Sequence, residues 1–204
     1  DLDRCRERIF REYFDLDVIQ CDENEVLVDL GAFTGDTVID YIAAYGLSYK
    51  RIYCYEITSD TFRILQENTR LMPNIVLCNR GVGDKPGVMY LSPNPHSSAN
   101  RVASEGEVEI PIVTVDEDIK EPVTFIKMDI EGFEQNALLG CREHIQNERP
   151  KLAISIYHNN EDIWKIPRMI EEFCPGYLFY LRHHGGTLVP TEMTLLAVFP
   201  ENIR

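Results

Sequence analysis

The chain has 204 residues, a net charge of −14 at pH 7, and apolar (44%) and charged (26%) fractions ordinary for a soluble globular protein. That length suits one domain with a sizeable core. The acidic balance argues against DNA or RNA as the main partner, because polyanion binders usually carry a basic face.

Residues Asp3 to Phe14 mix alternating charges with Ile9, Phe10, Tyr13 and Phe14. They read as an amphipathic helix packed over the domain or covering a ligand. Val26 to Leu30 is almost wholly aliphatic, too much so for a half-exposed strand, and reads as a strand buried on both faces. Gly31 and Gly35 then flank a tight turn, and a helix follows to about Tyr45 with Gly46 as its stop. A buried strand, a glycine turn and a helix N-terminus together make a nucleotide-binding corner. Asp29 sits at its carboxyl edge, where open α/β sheets bind ligands.

Arg51 to Glu56 reads as a second strand. Glu56 at its end, one βαβ step after Gly31, is placed to accept hydrogen bonds from ribose hydroxyls; elsewhere a lone Glu is more often a solvated charge. A helix capped by Thr58 or Ser59 follows, burying Phe62, Leu65 and Leu71 and ended by Pro73. A third strand spans Asn74 to Cys78. Residues 82–120 form an insertion of short strands and loops, in which Ser92 to Asn100 reads as a loop able to act as a substrate lid.

Val123 to Met128 is another buried strand, leading into Asp129, Glu131 and Gly132 and then a helix of about Glu134 to Ile145. Lys127, Asp129 and Glu131 alternate, so an extended chain places them on one side. Such charges are costly unless paired or set at the open end of the strand. Pro150 to His158 is a fifth strand, with His158 the one histidine at such a strand end. Pro167 predicts a short turn ending near Lys165 and a new helix with Pro167 in its first turn. Gly176 to Arg182 and Met193 to Phe199 form a closing antiparallel pair.

None of the six cysteines makes a C-x-x-C pair, so a zinc or redox site is unsupported. Cys54 and Cys78 read as core thiols, and a reducing, cytoplasmic setting is expected. No apolar run approaches membrane-spanning length and no signal-peptide pattern is visible. The chain opens on Asp1 rather than Met, which leaves room for a preceding segment.

Asp29-Leu-Gly31-Ala-Phe-Thr-Gly35-Asp-Thr37, Tyr55-Glu56 and the block Phe125 to Glu134, followed by Leu139-Gly140 and Arg149-Pro150, together resemble the FkbM-type methyltransferases that use S-adenosylmethionine (SAM). The resemblance runs from about Val26 to Phe199. It implies one α/β domain of the Rossmann-like class I methyltransferase type: a mostly parallel seven-stranded sheet with helices on both faces and an antiparallel C-terminal strand pair. It implies SAM as cofactor, with Asp29, Gly31 and Gly35 under its methionine and ribose and Glu56 on the ribose hydroxyls. Ala32, Phe33, Asp36 and Thr37 of the turn, Ile57 and Asp129 complete the implied cofactor set. It also implies O-methylation of a small-molecule or carbohydrate hydroxyl. One departure is that the strand after Pro150 often carries a Glu in the family, where this chain reads Ala153 to His158.

A hydroxyl acceptor has to lose a proton, and His158 is the first candidate base, Asp129 the second, with Glu131 and Lys127 beside them. Asp129, Glu131 and His158 could alternatively hold a divalent metal, but no ligand-spacing motif supports one and no residue is assigned to a metal. Two other readings stand beside this one. A nicotinamide-dependent oxidoreductase shares the strand, turn and acid, yet Gly31 and Gly35 do not make G-x-G-x-x-G. A non-catalytic protein could keep the fold as an interaction module.

Overall fold

Val26–Leu30 (β1) is buried at every position. A strand covered on both faces has no solvent-facing alternate residues, which is why its sequence is an unbroken aliphatic run apart from Asp29. The computed structural model describes residues 12–91, 102–103, 108–184 and 192–202. In it β1 lies inside a seven-stranded sheet. Arg51–Tyr55 (β2) and Ile75–Cys78 (β3) continue the sheet on one side. Phe125–Met128 (β8), Lys151–Ser155 (β9), Met193–Val198 (β11) and Leu178–His183 (β10) follow in that order on the other. Every pairing is parallel except those of β11, which runs antiparallel to both β9 and β10.

Alternation along the strands builds a core on each face. Val28, Leu30, Ile126, Met128, Leu152 and Ile154 point to one side. There they meet the helices Glu134–Leu139 (α4), Arg142–Glu148 (α5) and Asp162–Phe173 (α6) through Leu138, Ile145, Ile166 and Ile170. Leu27, Phe125 and Ala153 point to the other side, against Asp36–Tyr45 (α1) and Ser59–Thr69 (α2) through Val38, Tyr41 and Leu65. Phe14 also packs there, edge-on to both Tyr41 and Phe125. Between β3 and β8 the chain makes a separate four-stranded sheet of Gly81–Val82 (β4), Gly87–Leu91 (β5), Val102–Ala103 (β6) and Val108–Val113 (β7), then the short helix Val115–Asp118 (α3).

Several local expectations are corrected. Leu71 is 87% exposed, because α2 ends at Thr69, well before Pro73. The helix expected from Glu134 to Ile145 is two helices. A Cβ on Gly140 would fall 2.0 Å from the Gly83 carbonyl oxygen, so the chain breaks where it crosses that backbone. The Asp116 carboxylate then accepts the Glu143 and His144 N–H groups at 2.9 and 3.1 Å and restarts the helix as α5. Pro167 neither ends nor begins a helix: it lies inside a continuous α6. Its apolar face, with Ile166 and Ile170 fully buried, outweighs one missing hydrogen bond. The expected N-terminal helix, apart from its last residues, and the loop Ser92 to Asn100 lie outside the described residues.

Because Pro167 is the sixth residue of α6, its missing N–H is an interior one. Pro167→Ala is therefore expected to stabilise the fold by about 1–3 kcal/mol. The check is a higher denaturant midpoint at unchanged slope; a lower midpoint would show that the proline ring itself packs better than the restored bond.

Candidate functional site

The sheet grows from β1 in both directions, so the carboxyl ends of β1, β2 and β8 meet at the point where strand order reverses. Open α/β sheets leave a crevice there. The backbone closes its floor: Gly31 and Ala32 donate to the Tyr55 carbonyl at 3.0 and 2.9 Å, and Asp129 donates to that of Leu30 at 3.0 Å. Gly31 has φ +79°, and a Cβ there would stand 1.9 Å from the Asp129 carbonyl oxygen. Only glycine allows this approach. Gly35, at φ +89°, starts α1, and no side chain caps that helix.

Glu56 follows β2 and is buried. Its Oε2 accepts the Phe33 N–H at 3.1 Å and its Oε1 the Thr58 N–H at 2.7 Å. Burial pushes the Glu56 carboxyl up, and the Thr58 N–H and hydroxyl, the Phe33 N–H and the Lys127 charge pull it back.

Asp29 and Lys127 are register partners on neighbouring parallel strands and pair at 3.0 Å, both buried. Lys127 Nζ also donates to the Gly31 carbonyl at 2.8 Å and lies 4.9 Å from the centre of the Tyr13 ring. Burial opposes the Lys127 charge, but Asp29 and Asp129 more than offset it and hold the ammonium above its usual range. Burial pushes Asp29 up against the pull of Lys127.

Beyond β8 the alternation stops. Glu131 and Gly132 turn at φ +56° and +98°, so Lys127, Asp129 and Glu131 are not on one extended strand as expected. Tyr13 donates to Asp129 Oδ2 at 2.8 Å. His158 Nδ1 lies 2.8 Å from Oε1 of the fully buried Glu134, and Nε2 lies 3.5 Å from Asp129 Oδ1 and 3.7 Å from Glu131 Oε2. Burial pulls the imidazole pKa down, and this is outweighed first by the bond to Glu134 and then by the three carboxylate charges, so the net shift is upward.

A cavity of about 490 Å³ opens over these strand ends. Of the residues singled out in the sequence, Gly31, Phe33, Asp36, Thr37, Glu56 and Ile57 line it, as do Lys127, Asp129 and Glu131. Asp29, Ala32, Gly35 and His158 do not: Asp29 and Ala32 are fully buried beneath it, and His158 stands behind Asp129 and Glu131. The walls include residues that the sequence did not single out for the site. Val82 and Ile112 come from the second sheet, Phe133 from the turn after β8, and Glu12 and Tyr13 from the N-terminal segment. Glu12 is pushed up to about 7, chiefly by burial and then by Asp129 and Glu192, against Lys127 and Thr194.

The model of the methyltransferase FkbM domain family matches residues 29–186. Methyltransferase FkbM from Methylobacillus flagellatus KT is 28% identical with a TM-score of 0.77, over 91% of this chain and 46% of that one. The chain thus spans just under half the length of that relative. Aeropyrum pernix fibrillarin, solved with natively bound S-adenosyl-L-methionine, superposes with a TM-score of 0.57 at 13% identity, over 96% of this chain and 74% of that one. M. jannaschii TYW2, solved with AdoMet, gives 0.53 at 16% identity, over 94% and 73%. These last two show the fold alone. No curated protein matches the chain.

The Asp29–Lys127 pair yields a double-mutant test. Asp29→Asn or Lys127→Met alone leaves a buried charge unpaired and is expected to cost about 3–5 kcal/mol. The double variant should cost less than the two together, with a coupling of about 0.5–3 kcal/mol from denaturation midpoints. Strict additivity would mean that the two groups do not depend on each other.

Proposed function

Because the chain belongs to the methyltransferase FkbM domain family, we propose that it transfers a methyl group from SAM to a hydroxyl oxygen of a small-molecule or carbohydrate acceptor. The observation that carries the cofactor assignment is the charge of the cavity. Glu12, Asp36, Asp40, Glu56, Asp129 and Glu131 line it, against Lys127 and Arg80 as the cations. Lys127 is already paired with Asp29, and Arg80 with Asp118 at 3.1 Å. SAM carries a sulfonium and an ammonium against one carboxylate, so its net charge suits this wall. A nicotinamide dinucleotide would bring two phosphates to it.

The residues also fit the cofactor's parts. Glu56 lines the cavity as a buried carboxylate, an acceptor that suits ribose hydroxyls. Ile57, Val82, Ile112 and Phe133 supply apolar wall for a planar base. The Gly31 turn brings backbone to the cavity without a side chain.

When bound, SAM supplies a methyl group already activated on sulfur. The protein's own work is then to align the acceptor, exclude water and take the hydroxyl proton. His158 is badly placed as that base: it does not reach the cavity, and its carboxylate neighbours favour the protonated ring. One oxygen of Asp129 is engaged by Tyr13. We assign the base to Glu12, a carboxylate on the cavity wall.

Calorimetric titration with SAM, with NADH in parallel, tests the reading. Saturable SAM binding and no NADH binding are expected, with Glu56→Ala weakening SAM by roughly 10–100-fold through the lost charge-assisted bonds. A folded sample that ignores SAM would overturn it. Once a hydroxylated acceptor is found by screening with labelled cofactor, Glu12→Gln is expected to lower kcat about 10²–10⁴-fold. Full kcat in that variant puts the base elsewhere.

A further inference from the structure

We propose that Asp129 and His158 form the core of a binding site for a divalent transition cation at the rim of the cavity, with Glu131 joining from the exposed side and Glu134 orienting the imidazole. The inference rests on the methyltransferase reading only for the cation's task, polarising the acceptor hydroxyl. The site itself follows from geometry.

The two nitrogens of His158 are treated differently. The side chain is only 8% exposed. Nδ1 lies at direct hydrogen-bond distance, 2.8 Å, from Glu134 Oε1, which the Ile130 N–H also anchors at 3.0 Å. A buried, immobilised carboxylate on Nδ1 holds one proton there, so the proton an incoming cation displaces is the one on Nε2, the arrangement found behind metal-bound histidines. Nε2 then faces Asp129 Oδ1 at 3.5 Å and Glu131 Oε2 at 3.7 Å. Both separations exceed the roughly 2.9–3.0 Å of an N–H···O bond. They are close to the roughly 3.3–3.6 Å that separates two ligands each about 2.0–2.2 Å from one ion at the tetrahedral angle.

A second observation is independent of these distances. Asp129 Oδ1 is buried and accepts no hydrogen bond, while Tyr13 holds its Oδ2 and so fixes the carboxylate plane. The charge around the site agrees. Asp129 and Glu192 both act on Glu12 beside them, and Glu131 faces the His158 ring. One imidazole nitrogen with carboxylate oxygens suits Mn²⁺, Fe²⁺ or Zn²⁺ better than Ca²⁺ or Mg²⁺, which favour all-oxygen shells. Asp129 and Glu131 also line the cavity, so an ion they hold would keep positions open toward it. An acceptor hydroxyl taking one of them would lose its proton more readily, the proton passing to a cavity carboxylate.

The test uses the full chain after chelator treatment, titrated with Mn²⁺ and followed by the resonance of free Mn²⁺, with Zn²⁺ in parallel by calorimetry. Saturable binding of one Mn²⁺ per chain is expected. His158→Ala and Glu131→Gln should each weaken it at least tenfold, and Glu134→Gln by roughly 10–100-fold. Glu131 is 43% exposed, so its substitution leaves the fold intact and keeps the test valid if His158→Ala does not fold. No saturable Mn²⁺ or Zn²⁺ binding, or affinity unchanged in Glu131→Gln and folded His158→Ala, would overturn the site. SAM titration of the metal-free protein separates the two readings: SAM binding without cation binding removes the site alone. Cation binding without SAM binding keeps the site and removes its task.

Discussion

The buried contact of Lys127 with Asp29 and with the Gly31 carbonyl holds the site's geometry together. The two side chains sit opposite each other on adjacent parallel strands, so the pair fixes the register of β1 against β8 at the point where the sheet changes direction. The same ammonium reaches Gly31 at 2.8 Å and so pins the turn that must pass within contact of the Asp129 carbonyl. Tyr13 covers the cation with its ring and donates its hydroxyl to Asp129. The Gly31 turn, a strand end and an N-terminal segment are thereby tied to one buried charge. Replacing such a pair by apolar residues often costs little stability, so positioning is the better account of its use here than stability.

How much of this was legible in the sequence depends on whether the signal was local. The central strands were legible because burial on both faces leaves no solvent-side residues to interrupt the aliphatic run. The Gly31 turn and Glu56 were legible because the backbone conformation demands glycine and the strand end demands little else. Pro167 misled, because the cost of one lost hydrogen bond is smaller than the gain from burying Ile166 and Ile170, and only the tertiary packing shows that gain. The break at Gly140 depends on Gly83, more than fifty residues away, and no local pattern encodes it. Asp29 reads as a ligand by its place at a strand end, yet its partner is a lysine on the neighbouring strand. Glu12, Val82 and Ile112 reach the cavity through the folding of separate segments, which periodicity does not report.

The charge of the cavity has a consequence for the reaction it can support. A wall of carboxylates binds a sulfonium in its ground state, but the positive charge on sulfur falls as the methyl group is transferred. Stabilisation of that kind is stronger before the transition state than in it, so it helps binding and works against the chemical step. Rate must then come from the acceptor side: alignment, exclusion of water and a more nucleophilic oxygen. On the proposed reading, Glu12 on the wall and the His158–Asp129–Glu131 group at the rim would act on that oxygen rather than on sulfur. A dication at the rim would also screen the nearest carboxylates from the sulfonium. On that reading the same acidic cluster would serve both needs, cofactor affinity along one wall and acceptor activation at the rim, without the first suppressing the second.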